Sequence, residues 1–365
     1  MKKFVSLRDF DWVLLLFVLL ICAVGVMQIY SATMSSRFAD VHMHIKQIYW
    51  IAGGIAGMLL LSFINYEALL DSVHWMYIAA ILSLGAVLAF GKVYGGGKRW
   101  IRLPAGIHFQ PSEWVKLILI LAMAKYFSDM RQRDASLSDI VKAGLLGGIP
   151  MLMVLVQPDL GTALTYVPIL AMGLFLGGIQ LKHAFAILLV GAALAVPAYK
   201  HLKPFQRARL TTFLDPAADT QGKGYQGEQS KIAVGAGGIW GKGLGKGSQT
   251  QNSFLPVPQT DFIFAAFSEE HGFIGAVGLL LLYFIVLMRL IHNAQTAPDR
   301  GGAIVILGVV AVLTFHILVN VGMVVGFMPV TGIPLPLMSY GGSSLLFTFL
   351  ALGIVMNIRM RRFVN

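Results

Sequence analysis

Asp261 stands in Leu255-Pro256-Val257-Pro258-Gln259-Thr260-Asp261-Phe262-Ile263-Phe264, where a basic, glycine-rich stretch from Lys200 to Thr260 gives way to an apolar run. A carboxylate at such a junction either caps the helix that follows or serves as a base. Upstream, Gln110-Pro111-Ser112-Glu113-Trp114-Val115-Lys116 opens another apolar run, with Ser112 as the expected N-cap. Glu113 and Lys116, three residues apart, share one helix face and can pair. Either charge inside a membrane span costs roughly 2.5–3.5 kcal/mol, so the two form a structural ion pair or line a polar cavity that positions a charged substrate.

Other polar groups interrupt the hydrocarbon. Asp159, in Gln157-Pro158-Asp159-Leu160-Gly161-Thr162, caps the following helix or sits on a cavity rim. Glu269 and Glu270 are adjacent, so they cannot share a helix face, and at least one must point inward and needs a cation or a proton. His316 and Asn320 fall on one helix face, where a hydrogen bond bridging the bundle explains them better than a metal site. No residue set has the spacing of metal ligands. Ser339-Tyr340-Gly341-Gly342-Ser343-Ser344 offers small residues for close helix packing.

The elements that must position these groups follow from composition. Of 365 residues, 57% are hydrophobic and 12% charged, and the apolar residues come in long runs. That excludes a soluble domain and predicts an all-α polytopic membrane protein, because the alternating pattern of barrel strands is absent. Spans are expected near 12–31, 47–64, 73–91, 113–127, 140–156, 162–178, 183–199, 263–290, 302–327 and 343–358. These make about ten transmembrane helices in a single membrane domain, 1–365, with one large extracytoplasmic loop, 200–262, between the seventh and eighth. The first run follows Lys2, Lys3 and Arg8 and is too long for a signal h-region, so it reads as an uncleaved span. Cys22, the single cysteine, lies within it and fills space.

An even number of spans puts both termini on one side. Arg359, Arg361 and Arg362, together with Lys125, Arg131, Arg133 and Lys142, then share the cytoplasmic face with the N-terminal cations. Two outward loops are basic as well. One holds Lys92, Lys98, Arg99 and Arg102; the other holds Lys200, Lys203, Arg207, Arg209, Lys223, Lys231, Lys242 and Lys246. Long loops escape the charge rule, so this is either tolerated charge or an external site for a lipid phosphate or pyrophosphate. The net charge of +11 suits anionic lipid, and nucleic acid is not expected on that face. Residues 229–236 are expected to form a short interfacial helix ended by Gly237-Gly238. The glycines from Gly241 to Gly247 match no nucleotide-binding pattern, but they leave backbone around Lys242 and Lys246 able to approach phosphate, or simply a flexible loop.

Together these segments resemble the SEDS family of shape, elongation, division and sporulation proteins. The resemblance spans nearly the whole chain: QPSEWVK at 110–116, QPDLGTA at 157–163, AVGAGGIWGKGLGKGSQ at 233–249, TDFIFA at 260–265, and Asn320 to Ser344, ending in PVTGIPLPLMSYGGSS. Gln157, the short N-terminus and the FDW opening are more similar to the rod-shape branch than to the division branch. The resemblance implies a bacterial inner-membrane glycosyltransferase that polymerises peptidoglycan glycan chains from lipid II, on undecaprenyl pyrophosphate, beside a class B penicillin-binding protein. It carries catalysis onto Asp261 and supporting roles onto Glu113 and Lys116. Many members have an acidic residue where this chain has Val257 and a histidine where it has Gln259. The expected substrate contacts are Glu113, Lys116, Lys242, Lys246, Arg207 and Asp159; a departing pyrophosphate needs positive charge from such cations or from a divalent ion such as Mg2+. A lipid II flippase and a non-enzymatic scaffold of the wall-building machinery are the alternatives.

Overall fold

The structure, a computed structural model, describes residues 9–34, 42–94, 97–102, 108–130, 134–201, 207, 211–213 and 223–362. Lys2, Lys3, Arg8, Arg131, Arg133, Lys203 and Arg209 of the charge pattern lie outside them. In chain order the helices are α1 (Trp12–Thr33), α2 (Met43–Phe63), α3 (Tyr66–Asp71) and α4 (Val73–Phe90). Three short strands follow, β1 (Lys92–Tyr94), β2 (Gly97–Arg102) and β3 (His108–Phe109), then α5 (Pro111–Ser128), α6 (Leu137–Val156), α7 (Leu160–Leu164), α8 (Tyr166–Leu176) and α9 (Leu181–His201). The last are α10 (Lys223–Ala236), α11 (Ser248–Gln251), α12 (Ile263–Gln295), α13 (Arg300–Val324) and α14 (Gly342–Arg361).

Among the described residues, α1, α2, α4, α6, α12, α13 and α14 are long and apolar enough to cross a membrane. The other expected spans fall on α5, which carries Glu113, Lys116 and Lys125, on the pair α7 and α8, and on α9. The expected span 162–178 is therefore two helices, broken at Thr165. The first basic outward loop corrects the all-helical expectation locally, forming a small antiparallel sheet in the order β1-β2-β3. The helix expected over 229–236 is present and longer, starting at Lys223 and ending at Ala236 before the glycine pair.

Sequence chemistry explains the main boundaries. Asp11 caps α1 by accepting from the Leu14 amide at 3.1 Å. Ser136 and Asp139 cap α6 reciprocally. Large apolar side chains such as Leu20, Leu60, Leu82, Leu152 and Phe284 face outward, as suits lipid, while α13 and α14 fill the centre. Small residues let the central helices touch: a Cβ added to Gly54 of α2 would lie 2.4 Å from the Phe349 ring of α14.

The helix α12 is broken at Gly272, which adopts φ 66 and ψ −166. Its interrupted backbone groups are taken up by the preceding loop. Phe273 N donates to Gly238 O at 2.8 Å and Ile274 N to Ile239 O at 3.2 Å, while Lys242 N and Gly243 N donate to Glu269 O and Glu270 O at 3.1 and 2.9 Å.

At the end of the bundle away from Asp261, Asp11 is buried and accepts from Arg289, Asn293 and Arg359, and Arg359 Nε also donates to the Asp9 carbonyl. Tyr66 donates there to Asp299. The described chain ends therefore meet at the same end of the bundle.

Candidate active site

Glu113 and Lys116 do share a face of α5, and their 2.8 Å contact is an ion pair. Pro111, rather than Ser112, opens the helix, with Gln110 in the cap position. Both side chains are buried, and the pairing that the helix spacing predicted is present. The Lys116 side chain is 0% exposed: its ammonium meets Glu113 Oε2, lies 3.4 Å from His316 Nε2, and sits 4.4 Å from the Phe347 ring centroid. The pair thereby joins α5 to α13 through His316 and to α14 through Phe347. Asp159 is buried too. It caps α7 through the Thr162 amide at 3.2 Å and also accepts from Thr162 Oγ1 at 2.9 Å and Gln110 Nε2 at 3.1 Å, with Arg99 Nη1 at 3.6 Å. The capping reading holds.

His316 and Asn320, one turn apart on α13, do not bond each other. Both reach the non-helical segment Thr331–Tyr340, a strap laid across this end of the bundle. His316 Nδ1 lies 3.2 Å from Pro334 O, and Asn320 Nδ2 donates to Ile333 O at 2.8 Å. The same Asn320 nitrogen donates to Asp261 O at 3.0 Å. Ser339 Oγ donates to Thr260 O at 2.7 Å, Tyr340 N to Gln259 O at 2.9 Å, and Tyr283 Oη to Pro336 O at 2.5 Å. The strap is thus tied to the turn that carries Asp261.

Asp261 precedes α12, which starts at Ile263 with Phe262 in the cap position and no side-chain cap. Its carboxylate is half-buried. Gly332 of the strap, at φ 76, lies against it, and a Cβ added there would sit 3.2 Å from Asp261 Oδ2. On its other side the strap meets α7, where a Cβ at Gly161 would be 2.8 Å from Thr331 O. Burial raises the Tyr340 phenol above its ordinary value, so it stays protonated beside the turn. Among the described residues no three His, Cys, Asp or Glu side chains gather as an ion's ligand set.

The adjacent carboxylates of α12 diverge as expected. Glu269 accepts from Lys242 at 2.9 Å and from the Gln249 and Thr250 amides. Glu270 accepts from Ser31 and Gln28 of α1. One carboxylate has a cation; the other is held by neutral donors. Lys242 is therefore engaged by the protein's own carboxylate and ties the loop to α12. Lys246 is exposed, and Arg207 is exposed with its guanidinium on the Lys200 carbonyl and 5.2 Å from the Tyr199 ring. Lys231 pairs with Glu228. Val257 is exposed at φ 47 and Gln259 is buried, its carbonyl holding the strap. The segment enters the sequence reading only as part of the resemblance, which gives Gly332 and the strap no role; the signal available was a glycine followed by two closely spaced prolines, Pro334 and Pro336.

Comparison with known proteins gives this geometry its context. Residues 11–363 match the family of FtsW, RodA and SpoVE cell cycle proteins. The peptidoglycan glycosyltransferase RodA of Treponema pallidum is 33% identical, with 98% of this chain and 99% of that protein covered. Peptidoglycan glycosyltransferase MrdB of Escherichia coli K12 is 37% identical over 92% of this chain and 90% of its own. A chain in a solved peptidoglycan synthase complex, described as coordinating polymerization and crosslinking, superposes with a TM-score of 0.81 at 32% identity, covering 97% of this chain and 98% of that one. On these grounds the chain belongs to the SEDS family, that of FtsW, RodA and SpoVE.

Proposed function

We propose that this chain is a peptidoglycan glycosyltransferase that polymerises glycan from lipid II, with Asp261 as general base. The carrying observation is the half-buried Asp261 carboxylate, fixed between the start of α12 and the strap and bordered by a residue without a side chain. The acceptor sugar's 4-hydroxyl oxygen bonds to the donor's anomeric carbon as the bond from that carbon to the pyrophosphate oxygen breaks. The hydroxyl proton passes to Asp261, and the anomeric centre inverts. A positioned base is worth about 10²–10⁴ in rate. The departing pyrophosphate calls for positive charge, for which the exposed Lys246 and Arg207 are the candidates on this chain. The names of the relatives support the reaction class, and the peptidoglycan synthase complex supports a class B penicillin-binding protein as partner. The site is assigned to the outer face of a bacterial inner membrane, with both termini cytoplasmic; the meeting of the two chain ends through Arg359 and Asp9 supports their common side.

Asp261→Asn retains shape and removes the base. Purified in detergent with its transpeptidase partner, the variant should form no glycan polymer above background. Polymerisation at the wild-type rate would defeat the assignment. Because detergent offers no compartment to transport across, polymer formed by the wild type separates an enzyme from a flippase or a scaffold.

A further inference from the structure

We propose that His316 is a positioning residue for this reaction: as its neutral Nδ1–H tautomer it links the buried Glu113–Lys116 pair to the strap that borders Asp261. The inference rests on the reading of Asp261 as base.

The hydrogen-bonding partners determine the tautomer. An ammonium only donates, so His316 Nε2, 3.4 Å from Lys116 Nζ, must present its lone pair. A carbonyl only accepts, so Nδ1, 3.2 Å from Pro334 O, must carry the proton. The other tautomer would lose both bonds, and a doubly protonated ring would aim an N–H at the ammonium. Lys116 is itself held by Glu113 and the Phe347 ring without exposure. The ion pair therefore orients the imidazole, and the imidazole holds a backbone carbonyl.

That hold matters because of the strap's composition. Pro334 and Pro336 have no amide hydrogen and restricted φ, so the segment is stiff and is anchored largely through its carbonyls. Three of them, at 333, 334 and 336, accept from Asn320, His316 and Tyr283. Gly332 lies two residues before Pro334, against the Asp261 carboxylate. A strap without the His316 anchor shifts at Gly332 and lets the carboxylate move. Misplacement of a catalytic group by about 1 Å can cost on the order of 100-fold in rate, with binding little changed.

Two substitutions separate the two bonds. His316→Asn keeps an amide donor near the Nδ1 position and loses the acceptor for Lys116; His316→Gln places its amide nearer the Nε2 position and loses the donor to Pro334. Lipid II polymerisation by the full chain with its partner should show kcat lowered about 3- to 10-fold for His316→Asn, which keeps the hold on Pro334 but loses its orientation by Lys116, and about 10- to 100-fold for His316→Gln, at unchanged KM. The reverse order, equal losses, or a change in KM alone would overturn the positioning role. Asp261→Asn is run in parallel: its full activity would remove the underlying assignment, whereas an inactive Asp261→Asn without the expected His316 order removes only the present inference. A readout on unaltered protein covers a folding failure of either variant. Among the nine histidines of 15N-histidine-labelled protein, His316 should show a protonated Nδ1 and an unprotonated Nε2 at neutral pH, and any other state contradicts the proposal.

Discussion

Replacing Gly332 with alanine tests whether the strap sets the position of the Asp261 carboxylate. Gly332 has φ 76, a left-handed conformation that costs an L-residue roughly 1–2 kcal/mol. The new methyl would lie 3.2 Å from Asp261 Oδ2, closer than an ordinary van der Waals contact, so the carboxylate or the strap must move by a few tenths of an ångström. The folded state should therefore weaken by about 1–2 kcal/mol, while the reaction slows by about 10-fold through misalignment. Gly326→Ala is the matched control: its φ is 88, and its Cβ would meet the flexible Lys231 side chain instead of Asp261. Thermal unfolding in detergent and steady-state polymerisation of lipid II, measured on both variants, give the comparison. Both should lose similar stability, and only Gly332→Ala should lose kcat. Wild-type kcat in Gly332→Ala would show that the strap does not govern the base.

Other variants probe the remaining parts. Asp11→Ala leaves Arg289 and Arg359 without their buried partner and should destabilise the fold by about 3–5 kcal/mol in denaturation experiments, with kcat of the folded fraction unchanged. Lys246→Ala should raise KM for lipid II, with an effect that shrinks as salt increases, because Lys246 is exposed; Lys242→Ala should instead lower thermal stability by stranding Glu269. Exchanging the pair as Glu113→Lys with Lys116→Glu should not restore activity, since a carboxylate at 116 would face the Phe347 ring and the Nε2 lone pair of His316; recovery of the full polymerisation rate would reduce the pair to a generic ion pair.

The sequence made some of this legible and left other parts hidden, for reasons that lie in particular residues. The i,i+3 spacing of Glu113 and Lys116 was enough to predict their pairing, because that contact is local to one helix. Their burial was not readable, since it depends on His316 and Phe347, about 200 residues away in the chain. Asp159 was legible as a cap for the same local reason, and Gly237-Gly238 as a helix stop. The partner of Lys242 was not readable, because charge composition does not say which cation a buried Glu269 will claim. The strap escaped notice because its anchors are backbone carbonyls, which every sequence contains and none advertises.

The break at Gly272 gives α12 a mechanical character that helix length conceals. The loop from Gly238 to Gly243 acts as a splint, accepting from amides below the break and donating to carbonyls above it. Bending at that joint must therefore break splint-to-helix hydrogen bonds rather than helical ones. The upper piece, Ile263 to His271, follows directly from Asp261, while the lower piece runs on to Asp11's partner Arg289. Load applied to the exposed outer edge of the splint, Ile239 and Trp240, bears on both pieces at once, because Gly238 and Ile239 hold the lower one while Lys242 and Gly243 hold the upper. The stiffness with which the carboxylate is presented is thus a property of a loop as much as of the helix it introduces.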